Sequence, residues 1–412
     1  MKIKSFVISI VLLPFLLLSC SNNSKNKQSM KSFEKATFGY DLEFLQKHDS
    51  GLIVLKTDDE KSKVIISAKY QSKVFTSTAD GDNGKSFGWV NYKAFDGAPS
   101  TQMNAYGGEN RFWLGPEGGK FSLYFNPGKE MAFPNWRTPA PIDTESWNVL
   151  SETESSVSLE KVMSIVNYKN SKLSIKVDRK ITILSNKQMS NELSIDLTDS
   201  IKAVGYETDN MISNVGDFEW TEATGMPCIW LLDMFNPSPK TVIIVPFQKT
   251  NVKAFDKVAT TNYFGEIPAD RIKHTDKVLY FKADGKHRSK LGIKPEKILP
   301  FAGSYDADSK VLTIVKFDAK SDEKYLNQEW NTSKTSFSGD AMNAYNDGPL
   351  EDGTQMGPFY EIESVSPAAF LKPGSSLSHK HTVFHFSGSE KYLSIITEKI
   401  FGVSIEEIKT AF

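Results

Sequence analysis

The sequence predicts an all-β fold, and three observations predict it. Apolar and polar residues alternate with a period of two along most of the chain from Phe33 onward. Turn-forming residues punctuate these runs: Asp-Gly at 96–97, Asn-Pro-Gly at 126–128, Asn-Pro at 236–237, Ala-Asp-Gly at 283–285 and Asp-Gly at 347–348. Helical periodicity is almost absent before residue 390.

The runs, in chain order, are GLIVLKT, KVIISAKYQSKVFTST, FSLYFN, SSVSLEKVMSIVNYK, KLSIKVDRKITIL, NELSIDL, CIWLLDMF, TVIIVPF, KVLYFKA, KVLTIVKFD, FYEIESV and HKHTVFHFSG. In KLSIKVDRKITIL, Leu173, Ile175, Val177, Ile181 and Ile183 share one face and Ser174, Lys176, Asp178, Lys180 and Thr182 the other. Arg179 falls on the apolar face and needs a partner. No Pro/Gly/Ser-rich linker interrupts the series, so residues 33–390 read as one β domain. That is larger than a simple sandwich and calls for two very large packed sheets or two fused sandwiches. Residues 391–412 differ. EKYLSIITEKIF sets Leu393, Ile396 and Ile400 at helical spacing, Gly402 ends that helix, and Ser404 to Glu407 is a capping box opening another. These short C-terminal helices are expected to pack on a sheet or cover its edge.

Residues 1–20 read as a secretory signal: Lys2 and Lys4, an apolar run from Phe6 to Leu18, then Ser19 and Cys20. Leu17-Leu18-Ser19-Cys20 resembles a bacterial lipobox, which makes Cys20 the expected lipidation site. Residues 21–32 read as a polar tether. The expected location is the outer membrane, facing the periplasm, with the membrane as a partner through the anchor. Cys228 then has no disulfide partner and, in MPCIWLL, reads as a buried thiol. With 49 basic and 50 acidic side chains the net charge is −1, and basic residues lie scattered among acids. Nucleic acid is not an expected partner.

Three segments carry candidate chemistry. In GGENRFWLGPEGG (107–119) an extended backbone puts Glu109, Arg111 and Trp113 on one face and Asn110 and Phe112 on the other. A carboxylate, a guanidinium and an indole together suit a sugar, by charged hydrogen bonds to hydroxyls and stacking on the ring. They equally suit a structural Glu-Arg pair under a turn. In GPFYEIESVSP (357–367), Glu361 and Glu363 share a face, as in a pocket wall or cation site. In SLSHKHTVFHFSG (376–388), His379, His381 and His385 share a face, as metal ligands or as acids and donors to a sugar oxygen. The polar loop after Asn343 adds Asp347.

These features resemble the galactose mutarotase-like (aldose 1-epimerase-like) fold, a large antiparallel β-supersandwich. The YEIES strand and the ending from Leu371-Lys372-Pro373-Gly374 through Phe386 resemble that family's late glutamate strand and closing turn and strand. Gly107, Gly108, Arg111, Trp113, Pro116 and Glu117 resemble a pattern in its lipoprotein-borne bacterial members. The resemblance spans residues 35 to 388. It implies that Glu361, or Glu363 in its place, is the late catalytic glutamate. The family's mid-chain histidine motif is missing, and WLLDMFNPSPKT offers Asp233 and Asn236 there instead.

The expectation is therefore an exported lipoprotein with a carbohydrate cleft, acting by epimerase, lyase or hydrolase chemistry. Glu109, Arg111 and Trp113 form one wall, Glu361 and Glu363 another, and His379 and His381 the floor, with Asn110, Asp233 and Asp347 as further binding residues. Glu361 is the base, His379 or His381 the acid, and Arg111 stabilises oxyanion charge. No cofactor is expected. The alternatives are a non-catalytic glycan-binding protein and a divalent-metal enzyme using His379, His381 and His385.

Overall fold

A computed structural model describes residues 33–198, 200–249 and 258–412. The expected signal peptide, Cys20 and the tether lie outside the described residues. Phe33 to Phe412 forms a single unit, and its architecture is the antiparallel supersandwich that the sequence predicts.

Ten strands make the larger sheet, in the order Ile272–His274, Val278–Lys282, Thr241–Pro246, Phe301–Asp306, Val311–Phe317, Ser376–Ser387, Lys202–Asn214, Lys172–Ile183, Ser156–Val166 and Asn148–Glu152. Six make the second: Ala259–Thr260, Ser289–Ile293, Met342–Asn346, Tyr360–Val365, Cys228–Phe235 and Arg111–Gly115. Every pairing between these strands is antiparallel. A three-stranded sheet, Ile53–Lys56, Lys63–Ser67 and Lys73–Thr78, meets the second through the bridge between Val74 and Asn110.

The two large sheets stack face to face. Side chains from one reach the other directly, as in Ser304 Oγ to Tyr360 OH at 2.7 Å. Between them lies the main core, with Leu173, Ile175, Val177 and Ile181 on one side and Phe112, Leu114, Leu231 and Ile362 on the other. Alternation suffices to build this layer, because each buried aliphatic contributes roughly 1.5–3 kcal/mol over its exposed state. A second core lies on the far face of the ten-stranded sheet. There Tyr305, Leu312, Ile314 and Phe384 pack against Leu393, Ile396, Ile405 and Ile408 of helices Glu390–Ile400 and Ile405–Lys409. The capping box at Ser404 and Glu407 is formed, each side chain accepting the other's backbone N–H.

Three predicted strands differ. KVIISAKYQSKVFTST is not one strand but two, Lys63–Ser67 and Lys73–Thr78, paired antiparallel across the turn between them. NELSIDL overlaps helix Asn186–Leu193, which a Ser185–Gln188 capping box starts and whose Met189 and Leu193 face the second core. FSLYFN forms no strand, although Phe121, Leu123, Tyr124 and Phe125 are all buried. Apolar spacing reports burial there, not ladder pairing. Helix Phe38–His48, capped by Thr37, covers the three-stranded sheet with Phe38 and Leu45 against Ile65 and Phe75.

Candidate functional site

The three candidate segments do not meet in one cleft. The second sheet has an inner face toward the ten-stranded sheet and an outer face away from it, and the predicted residues divide between them.

In Tyr360–Val365 the alternation is regular, so Tyr360, Ile362 and Ser364 point inward and Glu361 and Glu363 outward. Arg111 and Trp113 also point outward. Register lines these groups up: Arg111 opposes Leu232, which opposes Glu363, while Glu361 opposes Tyr345 and Tyr345 opposes Lys290. Arg111 donates Nη2 to Glu361 Oε1. Its guanidinium lies 5.0 Å from the Trp113 ring centre. Glu363 Oε2 accepts from Lys290 Nζ at 2.9 Å and Trp230 Nε1 at 2.8 Å. Lys290 Nζ sits 4.9 Å from the Trp230 ring centre. Asp347 borders this face, accepting from Tyr345 OH at 3.2 Å and the Gly357 amide at 2.9 Å.

The outer group is nearly closed from water, with Arg111 5 % exposed, Glu361 7 % and Glu363 0 %. Burial raises the Glu361 carboxyl to about 7 against the pull of Arg111, and neighbouring Glu363 adds to the rise. Glu117, just past the end of the Arg111–Gly115 strand, is raised to about 7, again by burial, with Lys290 and the Trp330 indole opposing. Two carboxyls on one face thus change charge near neutrality. Two buried polar atoms there have no partner, Arg111 Nε and Glu363 Oε1.

Lys73 extends this face onto the three-stranded sheet. Val74 and Asn110 exchange both backbone hydrogen bonds, so the next antiparallel pair sets Lys73 across from Arg111. Lys73 is 3 % exposed, and among the described residues no carboxylate is paired with it. Burial, helped by Arg111, lowers its ammonium to about 7. The glycines of GGENRFWLGPEGG serve this crowding. A Cβ on Gly107, at φ +84°, would stand 2.2 Å from the Trp89 carbonyl oxygen, and one on Gly108, at φ +128°, 2.5 Å from the Lys73 side chain.

Glu109 departs from the predicted parity. The amides of Glu109 and Asn110 both donate into the same strand, to the Phe75 and Val74 carbonyls, which breaks the alternation before Arg111. Glu109 therefore joins Asn110, Asp233 and the histidines between the sheets. His385 Nε2 is 3.0 Å from Glu109 Oε1, which also accepts from Ser77. His381 Nε2 is 2.7 Å from Asp233 Oδ2, and Ser364 Oγ is 2.8 Å from both His381 Nδ1 and His379 Nε2. Asp233 Oδ1 accepts from Asn110, whose own oxygen accepts from Arg179 at 2.5 Å. Arg179 finds its second partner in Asn210.

All these groups are fully or almost fully buried. Burial lowers His379 to about 3, with His381 adding to the effect, so its ring is neutral at pH 7. His379 and His381 are thus no floor to the outer group; they link the sheets. Both ring nitrogens of His381 and of His385 are already hydrogen-bonded, His385 Nδ1 to Thr313. Among the described residues no group of three or more His, Cys, Asp or Glu side chains is placed to hold a metal.

Sequence reasoning missed Lys290 and Lys73 altogether and used Glu117 only as part of a pattern. Lys290 carried no signal, because only register brings it to Glu363.

Residues 36–412 match a family described as a family of unknown function, DUF6786. The chain belongs to that family. No curated protein matches this DUF6786 member. Its fold is similar to that of a galactose mutarotase-like protein from Lactobacillus casei, at 12% identity and TM-score 0.48, over 81% of this chain and 100% of that one. It is also similar to the Slr1438 protein from Synechocystis, at 13% identity and TM-score 0.48, over 82% and 96% of the chains. A galactose mutarotase related enzyme from Lactobacillus acidophilus shows 10% identity and TM-score 0.44, over 82% and 98%.

Proposed function

We propose that the outer face of the six-stranded sheet binds a carbohydrate, and that Glu361 moves the proton in a reaction at the sugar. The observation that carries this reading is Glu361 itself. It is a buried carboxyl raised to about 7, gripped by Arg111, on a face walled by the Trp113 and Trp230 indoles. A proton carrier works best with a pKa near the working pH. Arg111 keeps Nε free for a sugar oxygen and Glu363 keeps Oε1 free for a hydroxyl. Glu117 is the second carboxyl and takes the acid role that the sequence assigns to His379 or His381. Arg111 and Glu361 are almost covered, so this reading requires the segments over them to open for ligand.

The test is sugar binding by calorimetry together with anomer interconversion by polarimetry, across a panel of aldoses. Glu361→Gln is expected to keep binding and to lose turnover by at least a hundredfold. Turnover at the wild-type rate in Glu361→Gln would remove Glu361 as the proton carrier, and sugar binding with no turnover in the wild type would leave the non-catalytic binder.

The same proposal places the domain on a lipid anchor at Cys20, at the outer membrane facing the periplasm. Cys20→Ser is expected to move the protein from the membrane to the soluble fraction. An unchanged membrane fraction would reject the anchor.

A further inference from the structure

We propose that the site takes a glycan chain, not a lone sugar, and that the exposed Phe133 and the half-buried Trp330, both backed by the buried Trp136, form a second subsite stacking on further rings of that chain. This inference rests on the carbohydrate reading of the outer face.

Trp136 is the centre of a ring stack. It lies 5.9 Å from Tyr124 at an interplanar angle of 10°, 6.2 Å from Phe133 at 17° and 6.1 Å from Trp330 at 24°. Phe133 ends the stack and is 61 % exposed. Its phenyl ring meets Trp136, and much of it remains in water. An open aromatic face of this kind suits the apolar face of a pyranose.

Beside the stack opens a cavity of about 260 Å³, lined by Tyr124, Asn126, Asn135, Arg137, Thr138 and Ser164 among others. The Thr138 hydroxyl, on the cavity wall, is buried without a hydrogen-bond partner. An aromatic face next to a free hydroxyl and side-chain amides is what a hydroxyl-rich ring needs. Continuity with the outer face comes through Glu117. Its carboxyl interacts with Lys290 and Glu363 of the outer face and with the Trp330 and Trp136 indoles of the stack. A chain that seats one residue on Glu361 and Arg111 can therefore run past Glu117 onto the rings.

The experiment uses the full chain on an array of monosaccharides and of oligosaccharides of two to six residues, followed by titration of the binders. An oligosaccharide is expected to bind about tenfold more tightly than its constituent monosaccharide, the increment of one or two stacked rings. In Phe133→Ala, an exposed position where the fold loses little, the difference is expected to shrink to under threefold. Equal affinity for one residue and for chains overturns this inference and leaves the carbohydrate reading standing. Binding of no sugar at any length overturns both. A glycan affinity untouched by Phe133→Ala, with binding to phosphatidylglycerol vesicles lost, assigns the exposed ring to a membrane surface and overturns the subsite.

Discussion

Lys73→Met tests the electrostatics of the outer face through stability alone. Lys73 is 3 % exposed, lies across from Arg111, and has its ammonium lowered from 10.5 to about 7, chiefly by burial. Between those two values the unfolded chain holds a proton that the folded chain lacks. Wild-type stability therefore rises with pH across that window, by about 1.4 kcal/mol per unit from this group. Below pH 7 both states carry the proton and the full cost of the buried charge is present, of order 5 kcal/mol for a shift of this size. Methionine is close in length, carries no charge and removes the cost. Guanidinium unfolding of both proteins at pH 6.5, 8 and 9.5 measures it. The variant is expected to be more stable by several kcal/mol at pH 6.5, with the gap narrowing steadily to near zero by about pH 10.5. Tyrosines that titrate in this range do so in both proteins and cancel in the difference. A gap that does not change with pH would refute the reasoning, since it would mean that Lys73 keeps its proton throughout.

Three further outcomes follow from the same geometry. Arg111→Met leaves Glu361 buried without its counter-charge, so the carboxyl takes up a proton at pH 8, and the loss of stability is expected to be larger at pH 8 than at pH 5 by about 1 kcal/mol; urea unfolding at the two pH values measures this. Asp233→Ala strips His381 and Asn110 of an acceptor between the sheets and is expected to cost about 3 kcal/mol in chemical denaturation, with sugar affinity in the folded protein changed less than by Glu361→Gln. Ser404→Ala removes the capping box of the last helix and is expected to cost about 1 kcal/mol, read by calorimetry as a drop of a few degrees at most in the unfolding temperature.

Local chemistry alone carries much of this protein. Period-two alternation determines the all-β class, because a sheet with one buried face must repeat every second residue. It also pairs Glu361 with Glu363, since Tyr360–Val365 is a regular strand. The last helix and its Ser404 cap are legible for the same reason: each rests on neighbours within four residues. The three histidines do share a face, as their parity predicts, and all are buried. Which layer that face looks into is another matter. Asp233 meets His381 across 148 residues of chain, and Glu109 meets His385 across 276. Only the stacking of one sheet on the other decides that these groups lie between the sheets while Arg111 and Glu361 lie outside. Glu109 changes sides through a local break that hydrogen bonds to the Lys73–Thr78 strand impose. Lys290 reaches Glu363, and Lys73 reaches Arg111, through register alone. Side-chain parity is a property of the backbone and is written in the sequence. Register and layer are long-range choices made by hydrogen-bond pairing and burial together, and only the tertiary structure makes them.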